Sequence, residues 1–137
     1  MLLLCDHASN HVPPVYGSLG LAASQFERHI AYDIGTRDLT LRLAARLGGA
    51  AVLSRFSRLL IDPNRGFDDP TLIMKLSDGA VVPGNRTIDM AERQRRIDHY
   101  HAPYHGAISA TIDAMLADGL IPLIVSLHSF TPVWKGW

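Results

Sequence analysis

The chain has 137 residues, the length of one domain, and 47% of them are apolar, enough for a hydrophobic core. Thirteen Lys and Arg balance thirteen Asp and Glu, so the broad positive field that gathers nucleic acid is missing, which argues against a polyanionic partner. One cysteine rules out an internal disulfide framework and fits a reducing compartment, the cytoplasm being the default; no apolar run suits a signal peptide or a membrane span.

The first element is a short apolar strand, Leu2-Leu3-Leu4, that stops at Cys5-Asp6-His7-Ala8-Ser9-Asn10. Prolines and glycines make residues 11–20 a loop. From about Ser24 a helical period carries Ile30, Ile34, Leu41 and Ala45, flanked by Leu39, Leu43 and Leu47, and stops at Gly48-Gly49, which predicts a core-facing helix. His29 and Asp33 stand four apart in it, either as a surface pair or as a carboxylate and imidazole near a site. Ala50-Ala51-Val52-Leu53 reads as the next strand, and Leu59-Leu60-Ile61 as another or as its continuation. Asp62-Pro63-Asn64-Arg65 follows, with an arginine fork and an amide suited to a carboxylate.

Residues 66–87 lack a period and read as a long excursion, a possible lid. Asp89 and Glu92 have capping-box spacing, and a helical period runs from there to about Ala117, kinked or divided at Pro103. Arg93, Arg95 and Arg96 read as a solvated helix face on a neutral protein. The last strand, Pro122-Leu123-Ile124-Val125-Ser126-Leu127, runs into His128-Ser129-Phe130-Thr131-Pro132. If it joins the first strand in a parallel sheet, His7 and His128 both emerge at carboxyl ends, where open α/β sheets bind ligands.

Metal binding is the chemistry that two strand-end histidines suit best, with Asn10 or Asp6 as a further oxygen donor; the bland alternative is a polar cleft of hydrogen-bonded residues. His101 and His105, four apart, are a rival pair. Cys5 lacks the surroundings of a catalytic thiol, and Ser129 lacks the nucleophile elbow of a serine hydrolase.

In order along the chain, Cys5-Asp6-His7-Ala8-Ser9-Asn10-His11-Val12-Pro13, His29-Ile30-Ala31-Tyr32-Asp33-Ile34-Gly35, the block from Ser54 to Arg65, Pro103-Tyr104-His105 and Ser126-Leu127-His128-Ser129-Phe130-Thr131-Pro132 together resemble the N-formylglutamate amidohydrolase family. That family in turn resembles the zinc carboxypeptidases. The resemblance implies an α/β fold of three layers, αβα, around a mixed, largely parallel sheet, and zinc-dependent hydrolysis of an N-acyl amino acid. It implies His7, Asn10 and His128 as metal ligands, Asn10 standing where the carboxypeptidases have glutamate. Asn64 and Arg65 become the carboxylate clamp, with Ser129 as a further substrate contact. Arg58, or failing it Arg55, becomes the oxyanion partner.

Glutamate occurs only at Glu27 and Glu92, neither well placed as a base, which leaves Asp33 and Asp6 as candidates. The family pattern implies a catalytic glutamate downstream of the last block, whereas the sequence stops at Trp137, with Trp134 close by. The expectation is therefore a truncated sheet, a chain that binds metal but hydrolyses poorly, and either a homodimer or part of a longer enzyme. A metal- or ligand-binding module without turnover is the alternative to an amidohydrolase.

Overall fold

A computed structural model describes residues 1–131, so the expectations that rest on Trp134 and Trp137 lie outside the described residues. The strand β1 (Leu2–Cys5) lies at the centre of a three-stranded parallel sheet, between β2 (Ala50–Leu53) and β5 (Ile124–Ser126). Its residues explain the position: Leu2, Leu3 and Cys5 are almost fully buried, and a strand apolar on both faces needs cover on both. Leu2 is in register with Ala50 on one side and Ile124 on the other, so the strands end level. His7 and His128, each two residues beyond its strand, emerge together, as the parallel reading expects. The expected mixture of strand directions is not found in this sheet. Among the described residues the antiparallel pairing is a separate ribbon of β3 (Leu76–Ser77) and β4 (Ala80–Val81), closed by Asp78-Gly79 with both residues at positive φ.

Helix α1 (Thr36–Leu47) begins well after the predicted start at Ser24. Residues Ala23–Glu27 form a 3-10 turn, and Arg28 is extended. The next backbone groups bond outward rather than along a helix: the Asp33 amide donates to His7 O at 2.9 Å, and Ala31 O accepts from the Arg58 amide. Gly35 then takes φ 83°, a left-handed conformation a side chain would resist, and releases the chain into α1. The helix stops at Gly48, as predicted, again with positive φ. The buried face differs from the predicted one. Thr36 and Thr40 are buried while Leu39, Leu41 and Leu47 are exposed. The threonines suit the interior because their hydroxyls are satisfied locally: Thr36 donates to Asp33 O and Thr40 to Thr36 O, both at 2.7 Å.

Leu59, Leu60 and Ile61 are fully buried but form a turn followed by irregular backbone, not the expected strand. Ser57 is the reason: its hydroxyl donates to Ala31 O, its amide to His11 O, and Leu60 N bonds back to Ser57 O. This segment delivers Asp62 to the site. Nor is the 66–87 excursion a lid. It buries Leu72, Ile73 and Val82 in the core, and the buried Asn85 amide donates to Leu59 O and Met74 O.

Helix α2 (Met90–Arg96) starts as its capping spacing predicts, with Asp89 accepting from the Glu92 amide at 2.7 Å. A π turn (Ile97–His101) then leads into α3 (Ala102–Ala117). Pro103 has no amide to donate and its ring crowds the preceding turn, so the widened turn sits where proline was expected to divide the helix. Arg96 overturns the reading of a solvated basic face. It is 2% exposed, donates to Leu60 O (2.9 Å), Asn85 Oδ1 (2.7 Å) and Glu92 Oε1 (2.8 Å), and lies over the Tyr16 ring. Arg96→Met is expected to cost about 2–4 kcal/mol in urea unfolding because it strands buried acceptors, against roughly 0.5 kcal/mol for Arg95→Ala at an exposed ion pair. Among the described residues no helix is long and apolar enough to cross a membrane.

Candidate metal and substrate site

Two histidines and three carboxylates, Asp6, Asp33 and Asp62, meet beyond the carboxyl ends of β1 and β5. His7 is buried, and its Nε2 lies 2.7 Å from Asp62 Oδ1. Its Nδ1 faces Asp33 Oδ1 at 3.5 Å and Arg58 Nη1 at 3.3 Å. A guanidinium can only donate, so neutral His7 carries its proton on Nε2, given to Asp62, with the Nδ1 lone pair turned inward. His128 repeats the arrangement: Nδ1 is 3.1 Å from Asp33 Oδ2, and Nε2 is 3.2 Å from Asp6 Oδ2 and 3.1 Å from Ser126 Oγ. Asp6 is held in turn by the Tyr104 hydroxyl at 2.6 Å. Asp33 thus sits between the two Nδ1 atoms, and one ligand atom from each of His7, Asp33 and His128 lies within 4.8 Å of the others.

The charges are coupled. Burial disfavours charge on Asp62 and Asp33, but hydrogen bonds and attraction from His7 outweigh it and hold both carboxyls below their usual range. Burial likewise opposes a charged His7, yet Asp33 and Asp62 outweigh it and raise its pKa above the usual 6.5. Burial and the bond to Asp6 push the Tyr104 hydroxyl far up, so it remains a donor. Burial also raises the Cys5 thiol, which donates to Thr36 Oγ1, so Cys5 is an inert core residue.

The family model for N-formylglutamate amidohydrolase matches residues 1–136. The chain belongs to the N-formylglutamate amidohydrolase family. It is similar to the crystal structure of gene product Atu2144 from Agrobacterium tumefaciens, with TM-score 0.96 and 38% identity over 99% of this chain and 54% of that one. It is also similar to the crystal structure of N-formylglutamate amidohydrolase from Ralstonia eutropha JMP134, with TM-score 0.73 and 26% identity over 94% of this chain and 52% of that one. The chain therefore spans about half the length of these relatives. No curated protein matches it.

Against the residues expected of an N-formylglutamate amidohydrolase, the structure brings most together and separates two. A cavity of about 330 Å³ is lined by His7, Asp33, Arg58 and His128 together with Asn64, Arg65 and Ser129. Ser129 also gives its amide to Asp33 Oδ2 at 3.2 Å. Asn10 is not in this cavity: its side-chain amide donates to Phe26 O at 2.9 Å, and a carboxylate, Asp33, sits beside the histidines instead. Arg55 is exposed and lines a different cavity with His11 and Tyr100. His29 reaches the site cavity's rim, but it does not share a helix with Asp33, because the chain turns between them. Sequence reasoning missed the roles of Asp62 and Tyr104. Asp62 had a signal, since it follows Leu59-Leu60-Ile61 directly, just as Asp6 follows β1; Tyr104 reads by its spacing as an ordinary core tyrosine, and its place in the Pro103-Tyr104-His105 block was the one signal it carried.

Proposed function

We propose that this chain supplies the metal centre and carboxylate clamp of a zinc-dependent amidohydrolase acting on an N-acyl amino acid such as N-formylglutamate. One observation carries the reading: both Nδ1 atoms turn toward Asp33 while each Nε2 is backed by its own carboxylate, Asp62 or Asp6. Metal-ligating histidines are oriented in this way, and two imidazoles with one carboxylate leave a position open for water or substrate. His7, His128 and Asp33 would hold the ion, Asp33 in the place expected of Asn10. When bound, zinc supplies an acidified water and a Lewis acid for the scissile carbonyl.

The protein groups divide the remaining work. Arg65 binds a substrate carboxylate through two parallel bonds, with the Asn64 amide alongside. Arg58, anchored to Asp62 Oδ2 at 2.7 Å, keeps a second guanidinium nitrogen directed at the same space as His7 Nδ1, where charge develops on the carbonyl oxygen. Hydrolysis breaks the C–N bond, adds water oxygen to the acyl carbon and returns a proton to the departing amine. Arg65→Lys is expected to weaken binding of L-glutamate, the product of N-formylglutamate cleavage, by about 1.5–3 kcal/mol with zinc content unchanged. Calorimetric titration measures this, and an unaltered affinity contradicts the clamp.

A second reading, binding without turnover, draws on one observation. Among the described residues Asp33 is the one carboxylate lining the cavity, and it already stands between the histidines, which leaves no free base there. Release of formate from N-formyl-L-glutamate by the zinc-loaded chain decides between the readings. Turnover on the order of 1–1000 per second supports the enzyme. Zinc and glutamate binding without formate release supports the binding module.

A further inference from the structure

His101 and His105 lie outside the reacting cavity, on the far side of the turn that carries the clamp. The ring centroids are 4.4 Å apart, with the planes tilted 33° to each other. His101 Nε2 is 2.9 Å from Arg65 O, and His105 Nε2 is 2.9 Å from Pro63 O. A carbonyl only accepts, so each imidazole donates from Nε2. The two bonds grip the backbone on either side of Asn64. From the opposite side Asp62 holds the same turn, its Oδ1 accepting from the Asn64 amide at 2.9 Å and its carbonyl from the Arg65 amide at 3.2 Å.

We propose that His101 and His105 are positioning residues that set the Asn64–Arg65 turn for substrate through these two carbonyl bonds. The proposal rests on the reading of Arg65 as the carboxylate clamp. Two observations separate it from simple packing. His101 is 4% exposed, and its Nδ1 is buried with no hydrogen-bond partner among the described residues, so a phenyl ring would fill the space without that orphaned nitrogen. What histidine adds is the Nε2–H donor, and burial lowers its pKa below the usual 6.5, which keeps the ring a neutral donor. The second observation is the π turn ending at His101. An extra residue in that turn rotates the face of α3 relative to α2, and it is this register that puts His101 and His105 together under residues 63–65. Arg65 is itself about two-fifths exposed, and among the described residues its guanidinium has only long charge contacts, to Asp62 (3.8 Å) and Asp69 (4.0 Å), so its direction depends on the backbone beneath it.

The test replaces each histidine by Phe, which keeps ring volume and loses the donor, and by Gln, whose amide N–H reaches the same carbonyl. Amide hydrogen exchange and L-glutamate titration are measured on all four variants and on Arg65→Ala. The Phe variants are expected to exchange the Asn64 and Arg65 amides at least about tenfold faster, with β1 amides unchanged, and to bind L-glutamate about tenfold more weakly with zinc affinity kept. Gln is expected to restore both. Unchanged exchange in the Phe variants overturns the proposal, and so does a loss of glutamate affinity that Gln does not relieve, which is the mark of packing alone. If Arg65→Ala binds L-glutamate as tightly as the parent, the clamp reading has failed and the substrate role of the pair falls with it, while exchange still reports whether the histidines hold the turn.

Discussion

Alanine at His7 or at His128 is expected to abolish tight zinc binding, a loss of at least about a hundredfold, because in the proposed site each would contribute one of the two imidazole donors. Asp33→Ala is expected to follow them, and Asn10→Ala to leave affinity unchanged, since the Asn10 amide is committed to Phe26 O. This contrast separates the structural arrangement from the ligand set that the resemblance implies. Competition against a chromophoric chelator at fixed pH measures it. Equal zinc affinity in the parent and in both histidine variants would remove the site, and a large loss in Asn10→Ala would return the third ligand to that residue. Affinity should also fall as pH drops, because protons compete for His7, whose pKa is raised by Asp33 and Asp62 once their pull exceeds the cost of burial.

Asp62→Ala is expected to be the most damaging single change to the fold of this region, about 3–5 kcal/mol in the metal-free chain. Asp62 is fully buried and bonds His7 Nε2, Arg58 Nη2 and the Asn64 amide, so its removal leaves a buried imidazole and part of a guanidinium without their acceptor. The same cluster makes stability depend on pH in a definite sense. His7 is raised from 6.5, so its contribution is complete below that value and disappears as pH rises through the folded pKa. Asp33 and Asp62 are lowered from 3.8, so theirs is complete above that value and disappears as pH falls through their folded pKa values. With chelator present, the parent is therefore expected to resist urea better at about pH 5.5 than at about pH 8.5, and Asp62→Asn to lose most of that difference. Because the lowered His101 acts in the opposite sense in both proteins, an Asp62→Asn variant that keeps the parent's full pH difference would contradict the coupling; zinc should itself reverse the trend by binding the deprotonated site.

Strand β1 and the strand leading to His128 were legible as apolar runs ended by polar residues, and one parallel sheet was the condition for their histidines to emerge together, a condition that the pairing of β1 with β5 meets. From that alone followed the meeting of His7 and His128. The cap at Asp89, the stop at Gly48 and the break at Pro103 were legible too, because each is a local matter of one donor, one dihedral or one missing amide. What the period of apolar residues could not tell is which face of α1 turns inward, since buried threonines satisfied by nearby carbonyls replace the leucine stripe there. Arg96 misled for a related reason: a charge run looks the same whether its partners are water or the carbonyls of a distant turn. The site itself needed tertiary structure, because Asp62 and Asp33 reach the two histidines, and Tyr104 reaches Asp6 behind them, from segments far apart in the chain, and no local spacing encodes a contact made by turns that bond to one another rather than to their neighbours. Sequence determined which residues can ligate; the folded backbone decided that Asp33 stands between the histidines and that Asn10 faces away.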